Sequence, residues 1–293
     1  MVFTDYLINR LDFKQEAKEY LKDVRKKLAE NNYELAFKEA AKKYCREKWS
    51  IDDAFKSVMN IDTGLHEYTV HFMFMLYAAE FLLEMYKENN ISENIFWNTM
   101  VELRCKLNEC YAVYKIWGTF VGYWLADIFR MKLFGLGRLT YERTLFEYEN
   151  YNKKGISIKK GDSVVGVHIP SSGPLFPEAV TESLKLAYSF FMSDTGGPMA
   201  VVCDSWLLDT QLGKVFPESS NIKKFVNLFD VIYRCENENF SDAWRIFSTD
   251  YTGNVSNLPQ KTALQKSVAE FLKDGKKTGI GSGVLVFDGE KVV

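Results

Sequence analysis

The sequence has few cysteines, almost no net charge and no long hydrophobic run, and each shortage excludes a class of protein. Five cysteines in 293 residues are too few for a disulfide-stapled scaffold, and 47% hydrophobic residues are too many for a disordered chain. The formal charge of −2 gives no basic surface for nucleic acid or an anionic membrane. The longest apolar run, residues 72–79, is far shorter than the roughly 20 residues that span a bilayer.

Cysteine and histidine spacing gives no metal motif and no disulfide framework. The cysteines are odd in number and form no CxxC pair: Cys45, Cys105, Cys110, Cys203 and Cys235. The segment 66–71, HEYTVH, is similar to a zinc-binding HExxH helix, but its histidines are five residues apart and diverge by about 140° around a helix. Charged residues also interrupt residues 1–20, so no signal peptide is expected. We predict free thiols, no metal and a cytoplasmic protein.

The periodicity of the apolar residues changes near residue 130. Before it, apolar residues recur at three- and four-residue spacing, which predicts four or five helices. These are expected over 13–29, 33–49, 66–85, 92–115 and 117–129, with Ser92 as an N-cap and 66–85 in the middle of a bundle. The last of them is rich in aromatic residues and is expected to contact a second domain.

After residue 130 the pattern alternates between strands and helices. A hairpin is predicted over 131–149, followed by the strands 163–169, 199–204 and 229–235 and by the helices 177–192, 220–228 and 258–273. Gly279 to Gly283 weakly matches a phosphate loop, but a strand follows it, so we interpret it as a turn into a closing hairpin. Together, the helices before residue 130 and the strands and helices after it predict an α+β protein. In it a helical bundle domain, 1–130, packs on a mixed α/β domain, 131–293.

Two polar clusters follow neighbouring predicted strands. His168 and a Pro-Ser-Ser-Gly-Pro loop precede a helix, and Asp204 and Ser205 follow the next strand. Sheets of this class bind ligands at the carboxyl ends of their strands, and a helix N-terminus favours anions. His168, the only histidine after residue 130, is a candidate general base or acid. Alternatively, it only fixes the loop by hydrogen bonding, and Cys203 is a core residue rather than a nucleophile.

A family resemblance is carried by five stretches: LGRLTYE, VHIPSSGPLFPEAV, CDSWLLDTQL, SSNIKKFVNLF and LPQKTALQKSV. They resemble the bacterial family described as acyltransferase domain-containing proteins, which join a helical N-acyltransferase N-terminal domain to a GNAT-like C-terminal domain. In the GNAT fold the fourth and fifth strands splay apart to admit the pantetheine arm of acyl-CoA, and the loop after the fourth strand faces its pyrophosphate. By strand order, 163–169 and 199–204 correspond to those two strands.

The resemblance implies acyl-CoA as co-substrate and an amine or similar small molecule as acceptor. It places Ser171, Ser172 and Gly173 at the pyrophosphate. The residues that it places beside the splay are His168 as general base, Asp204 to orient it or to contact the acceptor, and Ser205. The loop lacks the Q/R-x-x-G-x-G/A pattern of GNAT enzymes, carries prolines and has no arginine near it in the sequence.

Two other functions are compatible with the sequence. A non-catalytic protein can keep the fold and bind a metabolite or a protein partner. A hydrolase ranks lowest because no G-x-S-x-G motif occurs. The acceptor, the acyl length and the oligomeric state are not encoded in any motif.

Overall fold

The computed structural model describes residues 2–153, 155–192 and 197–293, and the chain divides into two compact units after Gly135. The first unit is helical. Its helices are α1 (Phe3–Arg10), α2 (Gln15–Glu30), α3 (Glu34–Arg46), α4 (Ile51–Met59), α5 (Glu67–Glu88), α6 (Glu93–Tyr114) and the short α7 (Gly122–Leu125), which continues into a 3-10 turn (Ala126–Arg130). Among the described residues, no helix is long and apolar enough to cross a membrane.

Helix α5 is the centre of this bundle, as its sequence predicts. The run from Phe72 to Ala79 has no solvent exposure, because α1, α3, α4 and α6 all pack around it. The surrounding helices bury one face each, as α2 does with Ala17, Leu21, Val24 and Leu28. Side chains cap the starts of α4, α5 and α6: Ser50 Oγ accepts the Asp53 N–H, His66 Nδ1 accepts the Tyr68 N–H, and Ser92 Oγ accepts the Asn94 N–H.

The predicted aromatic helix over 117–129 is wrong in its first half. The chain around Gly118 instead crosses the first turn of α5, so closely that a Cβ there would lie 2.4 Å from the Tyr68 carbonyl carbon. Thr119 N donates to the Tyr68 carbonyl, and Thr69 Oγ1 donates to the carbonyl of Trp117. These bonds hold the segment out of a helix. Helices α1 and α4 are additional to the four or five expected, since eight or nine residues give too little periodicity to identify.

The second unit is built on a mixed sheet. Its strands are β1 (Leu133–Leu136), β2 (Leu139–Leu145), β5 (Ser163–His168), β6 (Met199–Ser205), β7 (Asp230–Glu236) and β8 (Gly279–Phe287), while β3 (Tyr151–Lys153) and β4 (Ile156–Ile158) form a separate hairpin. The strand order is β1-β2-β5-β6-β8-β7. Strands β5 and β6 are parallel, and the pairs β2–β5, β6–β8 and β7–β8 are antiparallel. The helices are α8 (Pro177–Phe191), α9 (Asn221–Val226), α10 (Ala243–Phe247) and α11 (Ala263–Lys273).

The two faces of this sheet have different covers. Helix α8 covers one face, which we call the helix face: Ser183 hydrogen-bonds the Tyr141 hydroxyl, and Arg143 donates to the Phe191 carbonyl. The β3–β4 hairpin covers part of the other, the hairpin face. Its buried cluster consists of Phe146, Tyr151, Ile158, Val164, Val202, Val284 and Val286. A ligand on the hairpin face must therefore bind outside the area that this buried cluster occupies.

The glycine run 279–283 is a strand and not the turn that its sequence suggests. It begins β8, which lies between β6 and β7. Three alternate glycines present one smooth side, since alternate residues of a strand share a face. A Cβ at Gly281 would lie 2.0 Å from the Leu208 carbonyl oxygen, so the glycine is required by a backbone that crosses the strand. The closing hairpin is reduced to one bridge, between Phe287 and Val292.

Candidate active site

Strands β5 and β6 separate toward their carboxyl ends. Within the described part of the chain their register is confined to two residue pairs, Val165 with Val201 and Gly166 with Val202. Both strands nevertheless continue, β5 to His168 and β6 to Ser205. Within the described residues the two strands are therefore not paired with each other at their carboxyl ends, the edge where sheets of this class bind their ligands.

The strand registers bring His168 and Asp204 to the same face of the sheet. Side chains alternate along a strand and share a face across paired strands. By this rule the hairpin face carries Thr140 and Glu142 of β2, Gly166 and His168 of β5, Val202 and Asp204 of β6, and Ser282 and Val284 of β8. The polar members lie at the end where β5 and β6 diverge, and the apolar members continue into the cluster under the hairpin.

His168 is held by a carboxylate, which belongs to Glu142 and not to Asp204. Its Nε2 lies 2.7 Å from Glu142 Oε1, and the two side chains are 32% and 28% exposed. Glu142 is paired with Gly166 across the strands, so its side chain reaches His168 diagonally past that glycine. A carboxylate bonded to an imidazole fixes the orientation of the ring, which a general base requires.

Asp204 is bonded to a tyrosine that the sequence did not point to. The Tyr148 hydroxyl donates to Asp204 Oδ1 at 2.6 Å and lies 2.7 Å from Ser282 Oγ. Burial, together with the bond to Asp204, raises the pKa of Tyr148 to about 12, so the hydroxyl stays protonated at neutral pH. The Tyr233 ring lies 5.9 Å from that of Tyr148. These side chains form a polar group beside the His168–Glu142 pair.

Ser205 and Cys203 lie on the helix face, away from His168. Ser205 Oγ accepts the Leu207 N–H and caps the 3-10 turn that follows β6, so its role in this structure is structural. Cys203 is buried against the core, and burial raises the pKa of its thiol. This environment agrees with the prediction that Cys203 is a core residue, and it excludes a Cys203–His168 nucleophilic pair in this arrangement.

The loop after β5 is held by an arginine that is remote in sequence. Arg138, in the turn between β1 and β2, donates to the carbonyls of Pro170, Gly173 and Pro174. Gly173 has a φ of +140°, which favours glycine there. Among the described residues, no acceptor is present for the backbone N–H groups of Ser172 and Gly173. The loop carbonyls thus accept hydrogen bonds from Arg138, whereas these neighbouring N–H groups have no acceptor. Backbone N–H groups of this kind suit the loop to an anion.

Two residues of this site, Arg138 and Glu142, were not among the site residues expected from the sequence. Both lie in the stretch LGRLTYE, which carries part of the family resemblance and is the one sequence signal for them. Their partners are about 30 residues away, so only strand register reveals the contacts. Tyr148 and Ser282 gave no signal, because each is one polar residue in an irregular or glycine-rich segment.

Nothing in the described residues is arranged to hold a metal ion: no group of three or more His, Cys, Asp or Glu side chains converges. The two histidines of the HEYTVH segment have separate surroundings. His66 caps α5, with its Nδ1 accepting the Tyr68 N–H at 3.1 Å. His71 stacks on Phe55, with ring centroids 3.9 Å apart.

A helical unit followed by a mixed sheet with two parallel central strands, β5 and β6, is the architecture of acyltransferases with a GNAT-like domain. The sequence matches the N-acyltransferase N-terminal domain family over residues 3–131 and the GNAT-like C-terminal domain family over residues 133–285. The chain therefore belongs to the acyltransferase family that joins these two domains. The resemblance of the sequence to these two domain families is confirmed.

Solved structures of acyltransferases share this fold. One in complex with decanoyl-CoA has a TM-score of 0.67 and 24% identity, covering 94% of this chain and 88% of that one. A second, in complex with decanoyl-CoA and teicoplanin, has a TM-score of 0.63 and 23% identity, covering 75% of this chain and 67% of that one. A third, in complex with CoA and 10C-teicoplanin, has a TM-score of 0.63 and 18% identity, covering 96% of this chain and 98% of that one. No curated protein sequence matches the chain significantly.

Proposed function

We propose that this protein transfers an acyl group from acyl-CoA to the amine of a small acceptor. The observation that carries the proposal is the divergence of β5 and β6 beside the His168–Glu142 pair. Family membership supports it, and so do the CoA complexes of the acyltransferases that share the fold. A cytoplasmic location is part of the proposal, because an odd number of cysteines favours a reducing compartment.

The loop after β5 would hold the pyrophosphate of the co-substrate. Arg138 occupies the loop carbonyls, and the N–H groups of Ser172 and Gly173 are available as donors. Helix α8 begins three residues later, and its N-terminus adds a favourable potential for an anion. Prolines 170 and 174 have no N–H to donate, so they limit how many amides the loop offers.

His168 would act as the general base. It takes a proton from the acceptor amine as the amine nitrogen bonds to the thioester carbonyl carbon, and the carbon–sulfur bond then breaks to release CoA as the thiol or thiolate. Glu142 holds the imidazole in position and offsets the charge that it gains. Asp204, with Tyr148 and Ser282, is proposed to contact the acceptor, since its carboxylate attracts an ammonium group before the proton is lost.

Binding of CoA tests the first half of the proposal. At one hundred times its dissociation constant, CoA should raise the free energy of unfolding by about 2.7 kcal/mol, measured by thermal or urea unfolding. Arg138→Ala should weaken CoA binding about tenfold, because loss of three charge-assisted hydrogen bonds frees the loop. Arg245→Ala is the control, since Arg245 pairs only locally, with Asp242.

The outcomes separate the functions. Absence of any effect of CoA or of a panel of acyl-CoAs on unfolding would exclude the acyl-CoA site. Binding of acyl-CoA without release of CoA thiol, in the presence of diverse amines, would favour the non-catalytic protein.

A further inference from the structure

A cavity of about 550 Å³ lies within the helical unit, apart from the residues assigned to acyl transfer. This volume is within the range of sites for small organic ligands, about 300–1,000 Å³. Its lining comes from α4, the first turns of α5, the segment before α7 and α7 itself, and consists of Asp52, Phe55, Lys56, Met59, Glu67, Tyr68, His71, Phe120 and Tyr123. Five of these nine residues are aromatic rings, counting the imidazole, which makes the walls flat and mostly apolar.

Contacts between neighbouring rings hold part of the cavity wall in place. His71 stacks on Phe55, and the Tyr123 ring meets Phe55 edge-on at 5.2 Å. Gly122 makes this possible, because a Cβ there would lie 3.2 Å from both His71 Nδ1 and the Phe55 ring. On the other side Tyr68 is anchored by its carbonyl, which accepts the Thr119 N–H. A preformed site loses little entropy on binding.

The polar groups of the cavity are incompletely matched by the protein. Across the residues that the structure describes, the half-buried imidazole of His71 has no hydrogen-bond partner, and the Glu67 carboxylate, which lines the cavity and is exposed to solvent, has no ion pair. Burial lowers the pKa of His71, so its ring is neutral and offers both a donor and an acceptor. Asp52 and Lys56 stand one helical turn apart on α4, so the lining carries two carboxylates, Asp52 and Glu67, and one ammonium group.

From these contacts we infer that the cavity binds an aromatic amine in its protonated form. The ammonium group pairs with Glu67 and lies against aromatic faces, an arrangement that attracts cations. The ring of the ligand stacks among Phe55, Tyr68 and Tyr123, and His71 supplies a neutral hydrogen-bonding partner. An anion of the same shape would meet Glu67 and be repelled. The inference does not depend on the acyl-transfer proposal.

Three indole compounds that differ only in the end group test the charge. Tryptamine, tryptophol and indole-3-propionate are titrated into the full-length protein by calorimetry. Tryptamine should bind at least fivefold more tightly than tryptophol, and indole-3-propionate should bind most weakly. Glu67→Gln should remove the advantage of tryptamine, whereas Glu47→Gln, on an exposed residue at the end of α3, should not. Equal affinity for the amine and the acid, or no binding of tryptamine, would overturn the proposal.

The location of the bound amine is tested separately, since an amine is also expected at the acyl-transfer site. The chain has only three histidines, so their imidazole signals are resolved in ¹⁵N-labelled protein. Tryptamine should shift the signals of His71 and leave those of His168 in place. Should it shift His168 instead, and should Glu142→Gln weaken binding where Glu67→Gln does not, the amine occupies the acyl-transfer site and the cavity proposal is wrong.

Discussion

Asp209 is the buried carboxylate that ties three segments of the sheet domain together. It has no solvent exposure, and it accepts hydrogen bonds from the Arg234 side chain at 2.6 Å and from the backbone N–H groups of Gly279 and Gln211. The residue thereby fixes β7 and the start of β8 against the turns after β6. A carboxylate with this many donors is a structural group, although it lies only a few residues beyond the candidate site.

Replacing Asp209 should therefore reduce stability sharply. Asp209→Asn keeps the size of the side chain but leaves Arg234 with the more exposed Glu236 in place of its buried counter-charge, and removal of one partner of a buried pair costs roughly 3 kcal/mol. Urea unfolding measures the change. The control is Asp274→Asn, whose ion pair with Lys276 is well exposed and is expected to contribute less than about 1 kcal/mol. A loss at Asp209 no larger than that of the control would show that the bonds carry little of the stability.

The cysteines differ enough in burial to predict their reactivity. Four are buried, and burial raises the pKa of Cys45 and of Cys110 to about 12. Cys235 is exposed. Because the thiolate is the reactive form, a disulfide reagent such as DTNB should modify one thiol in the native protein and five in denaturant without reductant. Cys235→Ser should abolish the native reaction. Fewer than five thiols in denaturant would contradict the prediction of free cysteines.

At the scale of elements, the site depends on Gly166 in β5. Because this glycine has no side chain, Glu142 of β2 can reach His168. Glu142 passes Gly166 to contact His168, and a Cβ at that glycine would lie 3.0 Å from Glu142 Cγ and 3.4 Å from Oε1. Gly166 is therefore a positioning residue for the proposed base, and its role follows from the antiparallel register rather than from any motif.

Gly166→Ala should lower the rate of acyl transfer at least tenfold while leaving CoA affinity unchanged, since a small misplacement of a catalytic group is costly and the loop after β5 is untouched. Steady-state kinetics and CoA titration measure the two effects. Gly213→Ala is the matched control, because a Cβ there meets nothing within 4 Å. A Gly166→Ala protein with the turnover of the native chain would show that the Glu142 contact is dispensable.

At the scale of the whole molecule, the sequence predicted the kind of architecture better than the contacts within it. The change in apolar period near residue 130 separated helices from a mixed sheet, and the strands 163–169 and 199–204 were predicted within one residue of β5 and β6. The errors have physical causes. Residues 117–121 leave the helix because Gly118 crosses α5. Gly281 lies in a strand because it pairs with Ser205 of β6 and Arg234 of β7.

The candidate site was predictable only in part for the same reason. His168 and Asp204 lie at the ends of strands and the loop 170–174 follows one, and local sequence locates strand ends. Their partners come from other segments: the β2–β5 register brings Glu142 to His168, and Tyr148 and Arg138 lie in loops outside β5 and β6. A single sequence does not reveal such contacts between distant segments. Ser205 was chosen for its place beside Asp204, yet alternation along β6 sends it to the opposite face.

The central claim is that His168 is the base of an acyl-CoA-dependent transfer, and a single-turnover measurement with His168→Asn tests it most directly. Asparagine preserves a hydrogen-bonding side chain but does not titrate. The account predicts that CoA release with a saturating amine slows by about 10²–10⁴-fold, that CoA affinity is unchanged, and that the native decline in rate at acid pH is lost. A His168→Asn protein that keeps most of the native rate would contradict it and would assign His168 to holding the loop.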